Sequence, residues 1–402
     1  MAYDAFTIDT NMAIHGGLNL ESGLLGQLTQ FKDGQIELVL SDVVVREIRK
    51  HLLHQAKKVR DTLINAAARA EEIQLTEGDV AAELRATVAG LGEVREVVGT
   101  RLKKYLEATG ATAVPVKLAS MDELVKSYFS ATPPFDAAGA KKSEFPDAIA
   151  LLSLEAWAKK SGKRILAVSE DGGWAEFAAT SDYIDVEKDF AKALQIVQEH
   201  AEEAQGRIAS ILAAIDEGTL PRLAIDIESG LRDAMLHWPI HGEGSGSFYL
   251  ELDSAELEYA SHTLTKDGDG YDITIVRMGS SQIVARVGAQ FSGTARANFS
   301  LSVWDSVDKE HVGMGSESAE LEVGFDGAFL LTLSGDFTEP PDEALDVEDI
   351  EIVEAPDDFD FGEVEFQPDP SDYEDWLSED GDADAAQNAS NEGVAPEGGQ
   401  PV

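Results

Sequence analysis

The sequence contains no cysteine, which excludes disulfides, thiolate zinc sites and cysteine nucleophiles. It is also short of positive charge: 31 Lys and Arg stand against 76 Asp and Glu, a formal net charge of −45. Long apolar runs are missing as well. None approaches the ~20 residues needed to span a bilayer, and the opening stretch MAYDAFTIDT lacks the basic head of a signal peptide. The expectation is a cytoplasmic protein that enters no membrane. A uniform charge deficit would also exclude polyanionic partners, but the deficit is uneven. No Lys or Arg occurs after Lys309, whereas Arg46 to Arg60 holds six basic residues, so local charge decides which surface meets a phosphate.

What is present falls into blocks. Residues 1–205 alternate strand and helix patterns, which predicts an α/β domain with a parallel sheet covered on both faces. The strands are Ala5–Ile8, Ile36–Leu40, Val114–Leu118, Arg164–Val168 and Tyr183–Val186. Helical patterns cover Leu18–Lys32, Asp42 to about Gln74, 78–109 with a break at Gly90–Gly92, Met121–Ser130 and Glu187 to Gln205. Residues 42–110 thus form a helical elaboration upon the sheet. The centre of the domain is 141–174, KKSEFPDAIALLSLEAWAKKSGKRILAVSEDGGW. Ala148 to Trp157 are apolar on nearly every side, which marks a buried helix opened by Ser143, Pro146 and Asp147.

The second half changes period. Residues 206–246 read as a helical linker ending in the Gly/Ser-rich His241–Ser247. Residues 247–337 alternate with period two, and turns are expected at Lys266–Gly270 and Asp326-Gly327, so a separate antiparallel β domain follows. Residues 338–402 are acidic with thinning hydrophobicity, which predicts a disordered tail.

Four acids fall where such a sheet gathers its ligands, outside the carboxyl ends of strands or at the helix starts beside them: Asp9, Glu47, Asp147 and Asp171. Buried carboxylates need a cation nearby, and hard divalent cations take oxygen ligands. Each acid alone also reads as a helix cap or a solvated charge. In order along the chain, FTIDTNM, SDVVVRE, EFPDAIA and VSEDGGW resemble the motifs of the PIN-domain nucleases, over residues 4–200. The likeness is to a bacterial subgroup with a long helical insertion, a PPF loop and the EFPDA motif. It implies a FEN-like α/β fold and Mg²⁺- or Mn²⁺-dependent cleavage of RNA, less often DNA. The family's four acids fall on Asp9, Glu47, Asp147 and Asp171, with Asn11 as a polar neighbour and Glu170 adjoining the fourth.

Other patterns have competing readings. Asp9-Thr10-Asn11 lacks the second Asp of phosphatases that open a strand with Asp-x-Asp. Glu144, one turn before Asp147, is a helix-start acid or a support for the site. Lys266–Gly270 lacks most ligands of a calcium loop and reads as a hairpin turn. His51 and His54 are a metal pair or part of the basic face formed by Arg46, Arg49, Lys50 and Lys57, which suits nucleic-acid phosphates. Trp174 reads as core or lid rather than a base-stacking platform. A catalytically silent PIN-like scaffold, binding protein partners through its β domain and acidic tail, is the alternative function. A homo-oligomer is compatible with either.

Overall fold

The computed structural model describes residues 2–72, 78–135, 144–268, 270–307 and 309–366. By its contacts the chain divides into two units. The first takes residues up to His237 together with Tyr259–Ser292 and Gly324–Ala355; the second takes Trp238–Glu258, Gly293–Val323 and the described residues from Pro356 on.

In the first unit β1 (Ala5–Ile8), β2 (Glu37–Ser41), β3 (Thr112–Val114), β4 (Ile165–Val168) and β5 (Ile184–Glu187) form a parallel sheet in the order β3-β2-β1-β4-β5. β1 and β4 are central and buried on both faces, which is why AFTI and ILAV are apolar runs without alternation. The chain winds one way from β1 through β2 to β3 and returns to the other side at β4. The crevice outside the carboxyl ends of β1 and β4 is therefore the switch point where ligands of such sheets bind.

The helices of this unit are α1 (Thr10–His15), α2 (Gly23–Gly26), α3 (Asp42–Glu72), α4 (Gly78–Gly90), α5 (Val94–Thr109), α6 (Met121–Ser130), α7 (Phe145–Ser161), α8 (Gly172–Ala178), α9 (Phe190–Ile196), α10 (Ala201–Asp216) and α11 (Pro221–Leu236). α7 is the buried helix expected from sequence. Pro146 sits in its first turn, Ala148, Ala150, Leu151, Leu152 and Leu154 are buried, and Gly162 closes it at φ 65. The break between α4 and α5 falls at the expected glycines. Three expected elements differ. Leu18–Lys32 is not one helix, because Leu18 and Gly23 adopt positive φ and leave only α2 and a 3₁₀ turn at Gln27–Phe31. Val116–Leu118 is a 3₁₀ turn after Pro115 rather than strand. The helix expected from Glu187 to Gln205 is split, since Glu187 ends β5 and His200 at φ 60 separates α9 from α10.

The antiparallel strands are β7 (Tyr249–Leu264), β10 (Ile273–Met278), β11 (Gln282–Asp305), β12 (Glu310–Gly335) and β13 (Leu345–Glu354). Their order is β10-β11-β12-β13, with β7 also on β11. The short β8 (Lys266–Asp267) and β9 (Gly270–Tyr271) make the expected hairpin, and α12 (Pro341–Ala344) precedes β13. Asp326-Gly327 is not a turn. It lies inside β12, where a Cβ on Gly327 would stand 2.4 Å from the Glu354 carbonyl, so the glycine answers close strand approach.

Within the first unit, residues 206–237 are not a mere linker. α11 buries Leu223, Ile227, Leu231 and Met235 on one stripe, and a Cβ on Gly230 would stand 2.9 Å from Ile350 of β13. The Arg222 guanidinium donates to the carbonyls of Asp342 and Leu345. Val276, Val284 and Leu330 of the antiparallel strands lie in the same hydrophobic core as β1 and β4. The edge of β10 is satisfied by glutamines. Gln205 Nε2 donates to the Ile273 carbonyl, the Ile275 amide donates to Gln195 Oε1, and Gln30 and Gln198 donate to the Val276 carbonyl at 3.2 and 3.3 Å.

The expected start of the disordered tail at 338 is corrected for 338–366. Leu345, Ile350 and Ile352 are buried in β13, with the acids between them on the other face, so the alternation was hidden by acidic composition. In the second unit β14 (Asp358–Glu363) pairs in parallel with β6 (His241–Ser245). The supposed Gly/Ser connector is thus a strand whose glycines make room for large side chains: a Cβ on Gly242 would stand 2.6 Å from the Phe361 ring. Ala297, Phe299 and Val364 form a small core there. Residues 367–402, which carry the rest of the acidic tail, lie outside the described residues, as do Lys141, Lys142 and Ser143.

Candidate metal and active site

Asp9 follows β1 directly and is 5 % exposed. It is the N-cap of α1, and its Oδ1 accepts from the Thr10 amide at 2.6 Å, so strand exit and helix start fix it together. Its Oδ2 accepts from the Ser169 hydroxyl at 2.8 Å, which comes from the end of β4. Glu47 lies in the second turn of α3, and its Oε2 accepts from Thr10 Oγ1 at 2.7 Å. Asp147 sits in the first turn of α7, where the buried Trp174 indole donates to its Oδ1 at 3.2 Å. Asp171 is exposed and caps α8, accepting from the amides of Gly173 and Trp174. The four acids therefore grade from buried to open.

They also feel one another. Burial pushes the Asp9 carboxyl up to about 7, the nearby charges of Asp147 and Asp171 push the same way, and the Ser169 and Thr10 donors pull against them. Burial raises Asp147 to about 6, with Asp171 and Glu47 adding to the rise and the Trp174 indole opposing it. The fold thus brings together all four acids named from sequence.

The neighbours divide. Asn11 lies on α1 with its side-chain Oδ1 buried and without a hydrogen-bond partner among the described residues. Glu144 is the N-cap residue of α7, one turn from Asp147. Glu170 turns outward to the His15 imidazole at 3.1 Å, with both side chains more than half exposed, so Asp171 is the member of this pair that meets Asp9 and Asp147. On α3 the Arg46 guanidinium is held by Asp42 at 2.7 Å, whereas Arg49, Lys50 and Lys57 have no ion pair among the described residues. His51 and His54 gather no third metal ligand among those residues.

Three residues that support the acids carry no such role in the sequence pattern: Thr10, Ser169 and Trp174. Thr10 and Ser169 sit inside the quoted motifs, but a hydroxyl's partner depends on how two strand ends meet. Trp174 is expected as core or lid and is buried core; its second task depends on an indole N–H that no spacing reveals.

The donor set suits a hard divalent cation. It is all oxygen, it carries surplus negative charge that burial makes costly, and it includes one orphaned amide oxygen. As they stand, no three His, Asp or Glu side chains among the described residues are arranged to grip an ion. Three of the carboxylates are instead engaged in hydrogen bonds, Glu47 with Thr10, Asp147 with Trp174 and Asp171 with the first amides of α8.

No curated protein and no solved structure matches the chain. The family model described as PIN domain matches residues 7–174, and domains of that family are generally nucleases. The match begins inside β1 and ends at the tryptophan that holds Asp147, so it spans every carboxylate of the site, and over residues 7–174 the chain is similar to the PIN domains.

Proposed function

We propose that this PIN domain is a metal-dependent nuclease that hydrolyses phosphodiester bonds, RNA in preference to DNA, with Mg²⁺ or Mn²⁺ held by Asp9, Glu47, Asp147 and Asp171. The observation that carries the reading is a set of acids crowded together at the strand ends, where burial, with their mutual repulsion adding to it, raises Asp9 to about 7 and Asp147 to about 6. A bound divalent cation supplies Lewis acidity to the scissile phosphate and the attacking water. The chain's own residues set the stage. Ser169 and Thr10 orient Asp9, Thr10 ties α1 to Glu47, and Trp174 aims Asp147 into the crevice. Arg49, Lys50 and Lys57 of α3, the helix that carries Glu47, have no ion pair among the described residues and give the phosphate backbone a cationic surface beside the acids. The RNA preference rests on the family's usual substrate.

The test incubates labelled RNA and DNA with the full chain, with and without Mn²⁺, beside Asp147→Asn. Mn²⁺-dependent cleavage lost in the variant is the expected outcome. Absence of cleavage of both polymers overturns the assignment and leaves a scaffold that binds partners without cutting.

A further inference from the structure

We propose that a second site, at the amino-terminal end of β2, binds a small organic phosphate of about the size of a nucleoside monophosphate. A cavity of about 490 Å³ opens there, within the range of small-ligand sites. Its floor is apolar, formed by the buried Phe31, Ile36 and Val197. Ile36 leads into β2, whereas Glu47 lies beyond the strand's far end, so the cavity and the carboxylates occupy opposite ends of the sheet.

Arg277 makes this cavity more than a packing defect. Acids outnumber bases more than two to one in this chain, and Arg101, Arg164, Arg207, Arg222, Arg232 and Arg286 all hold carboxylates. Arg277 is partly buried, yet no carboxylate lies within ion-pair distance of it among the described residues. Its placement has a backbone cause. Between Ile275 and Arg277 the pairing of β10 with β11 shifts register, so Ile275 and the adjacent Val276 are both fully buried and Arg277 follows at the cavity wall. Bulges of this kind re-aim side chains. Here the bulge is pinned, since Gln30 and Gln198 both donate to the Val276 carbonyl.

The other polar groups of the wall favour phosphate over carboxylate. Gln35, His200 and Ser280 are exposed, and none of their side chains makes a hydrogen bond among the described residues. Together with the five N–H donors of a guanidinium they exceed what two carboxylate oxygens can accept, while a phosphomonoester offers three terminal oxygens. Glu199 is the one acid of the lining. It opposes ligands of higher charge and accepts from a hydroxyl, as a ribose supplies. The apolar floor suits the flat body of a base.

Binding is measured by calorimetry in EDTA with the full-length protein, using 5′-AMP, adenosine, inorganic phosphate and succinate as separate probes. 5′-AMP is expected to bind more tightly than adenosine or phosphate, and succinate not to bind. Arg277→Gln should weaken 5′-AMP about tenfold or more, the loss of a charge-assisted contact. Ser280→Trp, in the exposed β10–β11 turn, should block the cavity without removing charge. Unaltered melting of both variants in buffer separates this from misfolding, and Asp147→Asn should bind 5′-AMP as the wild type does, which separates it from the nuclease site. No saturation by 5′-AMP below about 10 mM, equal binding by Arg277→Gln, or succinate binding as well as 5′-AMP each overturns the proposal.

Discussion

At the scale of single residues, Asp9 carries the most chemistry. Its carboxyl titrates near 3.8 in an unfolded chain and near 7 when folded. Below about pH 4 both states hold the proton. As pH rises from there to 7 the unfolded chain releases it and the folded chain keeps it, so stability falls through that window and levels off above it. In EDTA, the melting temperature should therefore fall between about pH 4 and 7, and Asp9→Asn should flatten the fall and melt higher than the wild type at about pH 8. Mn²⁺ should restore the wild type and leave the variant unmoved. Identical pH profiles for the two proteins would show that burial of Asp9 has no such cost. Trp174 offers a second check. Trp174→Phe keeps an aromatic ring in the core but removes the donor to Asp147, a charge-assisted bond typically worth about 1.5–3 kcal/mol. Cleavage is expected to drop about tenfold, chiefly in kcat; a change confined to the urea midpoint would make the residue structural only.

At the scale of elements, α3 joins a ligand to a basic surface, because Glu47 lies two residues before Arg49. Arg46 is engaged by Asp42, so of this basic face Arg49, Lys50 and Lys57 are the ones without an ion pair among the described residues. Changing these three to Gln should flatten the dependence of binding on salt, while adding Arg46→Gln should alter it little. An unchanged slope after the triple change would move the substrate path to another surface. The same elements show what the sequence made legible. β1, β4, α6 and α7 were readable because apolar runs, a Ser N-cap and a Pro start are local signals. β6, β13 and the unbroken β12 were not, because their glycines and acids answer to partners far along the chain: Gly242 to Phe361, Gly327 to Glu354, and Glu351 of β13 to the Gly23 amide. Asp9, Glu47, Asp147 and Asp171 were legible as strand-exit acids. Their supporting donors were not, since Ser169 meets Asp9 only across paired strands.

At the scale of the molecule, the sequence suggested that residues 1–205 stand alone. The first unit instead counts Val276, Val284 and Leu330 in the core of the parallel sheet, and α10 and α11 pack on the antiparallel strands. A chain ending at 205 should accordingly be insoluble or melt well below one ending at 366, by circular dichroism; equal melting would make the later strands an appendage. The acidic segment is best removed after Phe366, since a cut at 338 would take β13 from this core.

The glutamine-bound edge of β10 has a consequence for how the protein fails. Gln30, Gln195, Gln198 and Gln205 occupy backbone groups that would otherwise offer a template to a foreign strand. Three of the four sit on α9, on α10 and in the turn between them, so heat that loosens this stretch bares the edge while the strands behind it remain paired. Thermal inactivation should then be irreversible, quicken with protein concentration and end in thioflavin-positive aggregates, a fate decided by four amide side chains rather than by the catalytic acids.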